Sequence, residues 1–382
     1  MFYSQVNTLP LKKLLYIYYL CLRKRDEQKD IFYRSVGSYF NSRNVYDFNL
    51  ARSAFEHVII TQKIRKIIMP AFLCSIFDDI LIQRRVKPVF IDVEPKTLNI
   101  HVPEVQEAIS RDVDAILAVH TFGNPCDISA LVDLKEDYNA LLIEDCAHSL
   151  GAKYRGRAVG TFGDFSIFSM YKYLPTVSGG FLISKSSLAE GEYEKEKLNL
   201  KRLLRLIYII EAFHPVVFRL KEFSGDGEGM RSMKKTPIKK CSDIDVAIFN
   251  YFFKNIEEQV AGRNRVADLF DAKISSDNVI KQEILKGSVS SRQSYPLIVK
   301  AAEARDRVLK KLRKRGIMAE RTWHDAIVFS PAIKRAYKVE PLEYPNTVNA
   351  ARGIITLPVH SNYDEKDVDF IVNAVNIELA KL

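Results

Sequence analysis

The stretch from Leu141 to Ser184, LLIEDCAHSLGAKYRGRAVGTFGDFSIFSMYKYLPTVSGGFLIS, restricts the fold more than any other part of the chain. Leu141 to Ile143 is an apolar run that ends in Glu144 and Asp145. Such a run reads as a buried strand with acids at its carboxyl end. His148 follows closely. Phe165 to Phe168 is a second apolar run, leading into Ser169 and then Lys172, and Gly179–Gly180 opens a third, Phe181 to Ile183. In open α/β sheets, ligands bind outside the carboxyl ends of the strands. A carboxylate, an imidazole, a hydroxyl and an amine therefore stand at strand ends within one short segment.

The chain before this stretch alternates between the two periodicities. Lys66 to Met69, Val86 to Asp92 and Ala115 to His120 read as strands. Ser75 to Gln83, Val102 to Arg111 and Ala130 to Tyr138 read as helices. Alternation at this spacing predicts an α/β fold with a mostly parallel sheet covered by helices on both faces. No G-x-G-x-x-G follows the first strand, which disfavours a dinucleotide fold. After the organising stretch, Ser242 to Phe270 reads as one long helix joining two domains. Ser294 to Val299 and Ile354 to Leu357 read as strands, Ala302 to Arg315 and Asp364 to Leu379 as helices, and Gly316-Ile317-Met318 as a turn into a further strand. The expected organisation is an N-terminal basic and apolar segment over 1–34 and a large domain over 35–241, with 186–240 atypical. The connecting helix and a small α+β C-terminal domain follow over 242–382.

Pyridoxal phosphate chemistry calls for the residue set at these strand ends. The cofactor needs a lysine for its Schiff base and an acid that keeps its ring nitrogen protonated. A pyridinium ring withdraws electrons from the substrate carbon, and a neutral pyridine does so poorly. Lys172 suits the first role and Asp145 the second. His148 would stack on the ring or bond its phenolic oxygen, and Ser169 would hold the phosphate. Metal chemistry is not expected: Cys21, Cys74, Cys126, Cys146 and Cys241 lack C-x-x-C spacing, which also argues against a disulfide framework and suits a reducing cytoplasm.

The same residues carry a family resemblance. Glu144-Asp145-Cys146-Ala147-His148, the run Gly156, Gly160, Gly163-Asp164, then Phe168-Ser169, Lys172 and Gly179-Gly180 resemble the sugar aminotransferases of pyridoxal phosphate fold type I, the DegT/DnrJ/StrS group. The common pattern places the lysine five residues after the serine; here the gap is three. Lys172 is the only lysine between Lys153 and Lys185. The resemblance implies that the helix start at Leu50-Ala51-Arg52-Ser53 binds the cofactor phosphate, with Ala51 and Arg52 replacing a glycine and a threonine. It implies that Phe72 or Cys74 covers the cofactor ring and that Thr322-Trp323-His324 lies in a substrate-facing loop, where a core tryptophan and a surface histidine are the plainer reading. His120 is a weaker candidate behind the site. The partner-chain asparagine common in the family is missing from Ile238 to Ser242, where Lys240 stands in place of an arginine. The implied activity moves an amino group from an amino acid, glutamate by resemblance, to a keto sugar linked to a nucleotide, in a homodimer. Family members that remove a hydroxyl instead carry histidine at the lysine position, so Lys172 speaks against them. A non-catalytic protein that kept the fold is the other alternative, fed by Ala51 and the missing asparagine.

Charge and hydropathy bound the partners. A net charge of +10 over 382 residues suits phosphates or anionic lipid, and no feature selects nucleic acid. No signal-peptide pattern is seen, and no apolar run reaches the ~18 residues of a membrane span, so a cytoplasmic protein is expected. Leu9 to Leu22, LPLKKLLYIYYLCL, is followed by Arg23-Lys24-Arg25 and reads either as a membrane-surface helix or as one packed on its own domain or a partner subunit. Leu198 to Phe223 is similarly apolar and basic, with Pro215 as a helix breaker and Gly225, Gly227 and Gly229 marking a loop.

Overall fold

A computed structural model describes residues 9–189, 191–197, 200–210 and 237–382. Pro215, Gly225, Gly227 and Gly229 lie outside the described residues. The chain forms two compact units: Gln62–Ser166 with Ile256–Leu382, and Val6–Thr61 with Ile167–Asn255, as far as these are described.

The second of these units starts with α1 (Leu11–Arg23), α2 (Arg25–Phe40), β1 (Asn44–Phe48) and α3 (Ala51–Thr61). Helix α2 runs unbroken across positions 34 and 35, where the sequence suggested a boundary. The unit resumes with the end of β8 (Phe165–Ser169), then β9 (Gly180–Ser184), α7 (Leu200–Ile209) and α8 (Asp243–Phe253). Its strand order is β1-β9-β8, with β1 antiparallel to β9 and Phe48 opposite Gly180. The core is aromatic: Phe168 stacks on Phe181 at 4.6 Å, and Phe181 meets Phe32 and Phe249 edge-on. Leu9 and Ile17 pack with Ala247 and Ile248 of α8. This favours the expectation that the N-terminal apolar segment packs on its own domain.

The other unit holds β2 (Lys66–Pro70), α4 (Asp78–Gln83), β3 (Lys87–Ile91), α5 (Val102–Ala108), β4 (Ala115–Val119), α6 (Ile128–Tyr138) and β5 (Leu141–Asp145). Strands β5, β4, β2 and β3 lie in that order and every pairing among them is parallel. The β4 and β5 residues are nearly all buried, as a parallel strand covered on both faces requires. Short strands β6 (Lys153–Tyr154), β7 (Arg157–Ala158) and β11 (Ser288–Val289) form a small sheet.

The C-terminal part of this unit packs α9 (Ile256–Lys273), α10 (Arg305–Lys314) and α13 (Glu365–Leu379) with the antiparallel strands β10 (Val279–Lys281), β12 (Tyr295–Val299) and β13 (Ile354–Leu357) around one apolar core. Helices α11 (Pro331–Tyr337) and α12 (Pro345–Gly353) complete it. The expected α/β class with a mostly parallel sheet and a small α+β part is what the chain adopts. Two details differ. The helix expected over Ser242–Phe270 is two helices, because at Lys254-Asn255 an Asn255-to-Phe252 bond tightens the turn. After Gly316, only an isolated bridge between Glu320 and Thr356 forms where a strand was expected.

Candidate active site

Successive side chains of a strand point to opposite faces. Glu144 and Asp145 end β5 side by side, so they serve different surroundings. Glu144 is fully buried and accepts five hydrogen bonds. Its Oε1 takes Phe162 N at 2.8 Å, Gly163 N at 2.6 Å and Ser166 Oγ at 3.3 Å. Its Oε2 takes Gly160 N at 2.7 Å and His120 Nε2 at 3.1 Å. His120 Nδ1 accepts Cys126 N–H at 3.1 Å, so the ring proton sits on Nε2 and is donated to Glu144. Burial opposes ionisation of this carboxyl, but the bonds from His120, Gly163 and Gly160 outweigh it and hold the group below the usual carboxylate range. The glycine-rich loop is thus gripped by an anion. A Cβ on Gly163 would meet Leu142 O at 2.8 Å, so glycine is required where the loop crosses β5. Asp164 closes the loop by accepting from Leu142 N at 2.8 Å and from Lys135 Nζ at 2.8 Å.

His120, Glu144 and Cys146 bring potential metal-ligand atoms within 4.8 Å of one another. The hydrogen bonds just described already occupy His120 and Glu144, so this cluster serves the loop.

Asp145 is buried, and its Oδ1 accepts Ala147 N–H at 2.9 Å. That bond tucks the following residues back and leads the chain to His148. The imidazole of His148 is buried and lies near-parallel to Trp323 at 4.9 Å and to Phe122 at 5.7 Å. Phe72, also buried, meets Trp323 edge-on at 5.5 Å and Phe122 at 6.3 Å. Phe72 and His148, expected to serve one ring, therefore share an aromatic cluster within this unit. Trp323 is buried, as the plainer reading of its loop expected, and it packs against His148. Phe122 was not singled out at all. Phe122 and Trp323 hold φ of +57° and +61°, conformations that bulky residues rarely adopt. Strain of this kind gathers at functional sites.

Lys172, Ser169, Arg52 and Ser53 belong to the other unit. Ser169 ends β8, is buried, and its Oγ has no hydrogen-bond partner among the described residues. Lys172 sits half-buried in a tight turn in which Tyr173 N and Leu174 N both bond Met170 O. The far end of this turn is fixed by a buried polar knot. Asp245 of α8 accepts Val177 N at 2.7 Å and Ser178 N at 3.2 Å. Arg202 of α7 ion-pairs with Asp245 and donates to Ser178 Oγ at 2.6 Å and Ser242 Oγ at 2.8 Å. Residues from the atypical region thus secure the segment after Lys172, which nothing in the sequence signalled.

Arg52 and Ser53 lie in the first turn of α3, Ser53 buried and Arg52 half-buried. The backbone before them runs against β9: a Cβ on Gly180 would stand 2.4 Å from Ala51 N. The second glycine of the Gly179–Gly180 pair is therefore what allows the N-terminus of α3 to approach the sheet. Lys239 backbone groups bond Asn49 from both sides, N to Oδ1 at 3.3 Å and O from N at 2.8 Å.

Each unit, taken by itself, holds donors of the types that a part of pyridoxal phosphate needs. A buried hydroxyl lacking a described partner at Ser169 and a long-helix N-terminus carrying Ser53 and Arg52 suit a phosphate. Lys172, in the same unit, is an amine of the kind a Schiff base needs, and in the other unit a buried carboxylate at Asp145 is of the kind a cationic ring nitrogen needs.

Comparison with known proteins identifies the family. The model of the DegT/DnrJ/EryC1/StrS aminotransferase family matches residues 25–376. A dTDP-4-amino-4,6-dideoxy-D-glucose transaminase of Shigella dysenteriae is 28% identical over 301 residues, covering 77% of this chain and 74% of that protein. Among solved structures, the aminotransferase PseC of Helicobacter pylori, involved in the biosynthesis of pseudoaminic acid, superposes with a TM-score of 0.80 at 18% identity, over 100% of both chains. The PLP form of a putative sugar aminotransferase, Spr1654, from Streptococcus pneumoniae gives 0.76 at 18% identity, over 100% of this chain and 99% of that one.

Proposed function

Because the chain belongs to the DegT/DnrJ/EryC1/StrS aminotransferase family, we propose that it is a pyridoxal phosphate-dependent sugar aminotransferase that takes the amino group of an amino acid, glutamate by resemblance, and delivers it to a nucleotide-linked keto sugar. Pyridoxal phosphate, when bound, supplies an electron-withdrawing ring that stabilises charge on the substrate carbon.

The chain's own residues take these roles. Lys172 Nζ anchors the cofactor and, once released, acts as the positioned base that moves a proton at the substrate carbon. Asp145 holds a proton on the ring nitrogen. Ser169, Ser53 and Arg52 bind the phosphate, where charge-assisted hydrogen bonds are the strong ones. His148 and Phe72, with Phe122 and Trp323 packed against them, flank the ring and keep water away. The observation that carries the reading is the family match over residues 25–376. The buried Asp145 at a strand end and the Ser169 hydroxyl are consistent with it.

The test is spectroscopic and kinetic. Purified protein should take up pyridoxal phosphate, keep a visible-edge absorbance through desalting and lose it to borohydride. Lys172→Ala should lose the absorbance and the turnover; retention of full turnover by that variant would overturn the assignment. Mass spectrometry of the product separates an amino sugar from a deoxy sugar.

The reading also includes a homodimer, by resemblance, and contact with a membrane surface. Among the described residues, no helix is long and apolar enough to cross a membrane.

A further inference from the structure

Two helices of one unit carry apolar stripes on their solvent side. On α1, Leu11, Leu15, Tyr18 and Leu22 follow one another at helical spacing along a single line, and all are exposed, Leu15 by 60% and Leu22 by 66%. Tyr16 and Tyr19 beside them are also exposed. A different face of α1, with Ile17 fully buried and Leu14 and Cys21 partly buried, packs on the cluster of Ala247 and Ile248. The outer stripe is therefore surplus to what the fold needs. On α7, Leu200, Leu203 and Leu204 form a second exposed stripe, Leu200 by 72%. The opposite side of α7 carries Arg202 inward to Asp245 of the same inner helix, α8. Ile210, just after α7, bridges Leu9, just before α1. Both stripes thus face outward from one inner helix.

Charge decides what covers them. Residues 1–25 contain Lys12, Lys13, Arg23, Lys24 and Arg25 and no acid, and Leu200–Ile209 contains Lys201, Arg202 and Arg205 and no acid. Lys12, Lys13, Arg23 and Arg205 are exposed. Lys12 and Arg23 make no ion pair among the described residues. An apolar stripe flanked by cations, with tyrosines at its border, is the composition of a helix that lies in a bilayer interface, where tyrosine sits at headgroup level and each cation is attracted to anionic lipid. A protein partner would require acids opposite these cations; an anionic bilayer supplies them as headgroups.

We propose that α1 and α7 form a monotopic docking face for an anionic lipid surface, with Leu11, Leu15, Tyr18, Leu22, Leu200 and Leu204 entering the headgroup–acyl boundary. This deepens the membrane contact named above and is independent of the aminotransfer chemistry.

The test is co-sedimentation of the full-length protein with vesicles of mixed phosphatidylcholine and phosphatidylglycerol, against phosphatidylcholine alone. The protein should pellet with the mixed vesicles and be released in part by high salt. L15E/L22E and, separately, L200E/L204E should each lower partitioning by at least about tenfold. Both pairs are exposed, so circular dichroism and Tm should not move. Wild-type protein that stays in the supernatant, or L15E/L22E that pellets as strongly as wild type, overturns the proposal. So does wild-type protein that ignores vesicles while L15E/L22E turns a dimer into monomers, which would assign the face to a second copy. Turnover measured on the same samples keeps the two questions apart: vesicle binding without turnover sinks the aminotransferase reading alone.

Discussion

Glu144→Gln tests whether the loop over β5 is held by an anion. The substitution keeps the shape and removes the charge and one acceptor. With the amide oxygen in the place of Oε1, Phe162 N, Gly163 N and Ser166 Oγ stay satisfied, while the NH2 faces Gly160 N–H and His120 Nε2–H. His120 cannot escape by moving its proton, because Nδ1 is taken by Cys126 N–H. In the other orientation, Phe162 N and Gly163 N lose their acceptor. Two buried donors are stranded either way. At roughly 1–3 kcal/mol for each unsatisfied group, the loss is about 2–6 kcal/mol. That is a large part of the ~5–15 kcal/mol that keeps a protein folded. Urea unfolding should show a lower midpoint with an unchanged slope. The pH dependence has a definite sign. The folded carboxyl is held below its unfolded value of 4.5, so its contribution is fully present above that pH and is lost as the pH falls through the lower folded value. The gap between wild type and variant should therefore narrow below pH 4.5. A loss under about 1 kcal/mol, or a gap that widens in acid, would refute the account.

Three further outcomes are expected. Asp145→Asn keeps an oxygen for Ala147 N–H, so stability should change by less than about 1 kcal/mol, while turnover falls by at least about a hundredfold if the residue holds the ring proton; thermal melting and steady-state rates measured together check this. Gly180→Ala places a Cβ 2.4 Å from Ala51 N, which is backbone and cannot swing aside, so about 1–3 kcal/mol of stability and much of the pyridoxal phosphate affinity should be lost, read by denaturation and cofactor titration. Burial pushes the Cys21 and Cys146 thiols up to about 12, with Asp243 adding to the effect at Cys21, so both should resist iodoacetamide in the folded protein at neutral pH, as peptide mapping would show.

What the residues revealed in advance follows from which signals are local. The parallel strands were legible because an apolar run at a buried strand needs no partner to be recognised. β1 was not, because in Asn44–Phe48 only Phe48 is buried and no alternation survives. The break between α8 and α9 was hidden for a similar reason. No glycine or proline marks it, and Phe253 and Ile256 on either side are both buried, so the apolar pattern runs straight through. The polar knot of Arg202, Ser178 and Asp245 joins residues far apart in the chain, and one sequence gives no means of pairing them.

The Glu144-Asp145 doublet shows how local rule and long-range consequence combine. From the sequence both acids mark the end of a strand, and Asp145 was assigned to the cofactor with nothing assigned to Glu144. Strand geometry forces adjacent side chains to opposite faces, so one strand end must serve two surroundings. Glu144 turns to the glycine loop and gathers three backbone N–H groups, a histidine and a serine. Asp145 turns the other way, binds its own chain at Ala147 and opens the path to His148. The glycine at 163 is explained by the crossing over β5, where a Cβ would meet Leu142 O at 2.8 Å, and the glycine at 160 by its φ of +91°; both turn an N–H to Glu144, as Phe162 between them also does. It follows that exchanging the two acids in kind should separate the two duties: the amide at 144 weakens the fold at constant chemistry, and the amide at 145 weakens the chemistry at constant fold. Loss of both properties from either variant would mean that the strand end serves a single network.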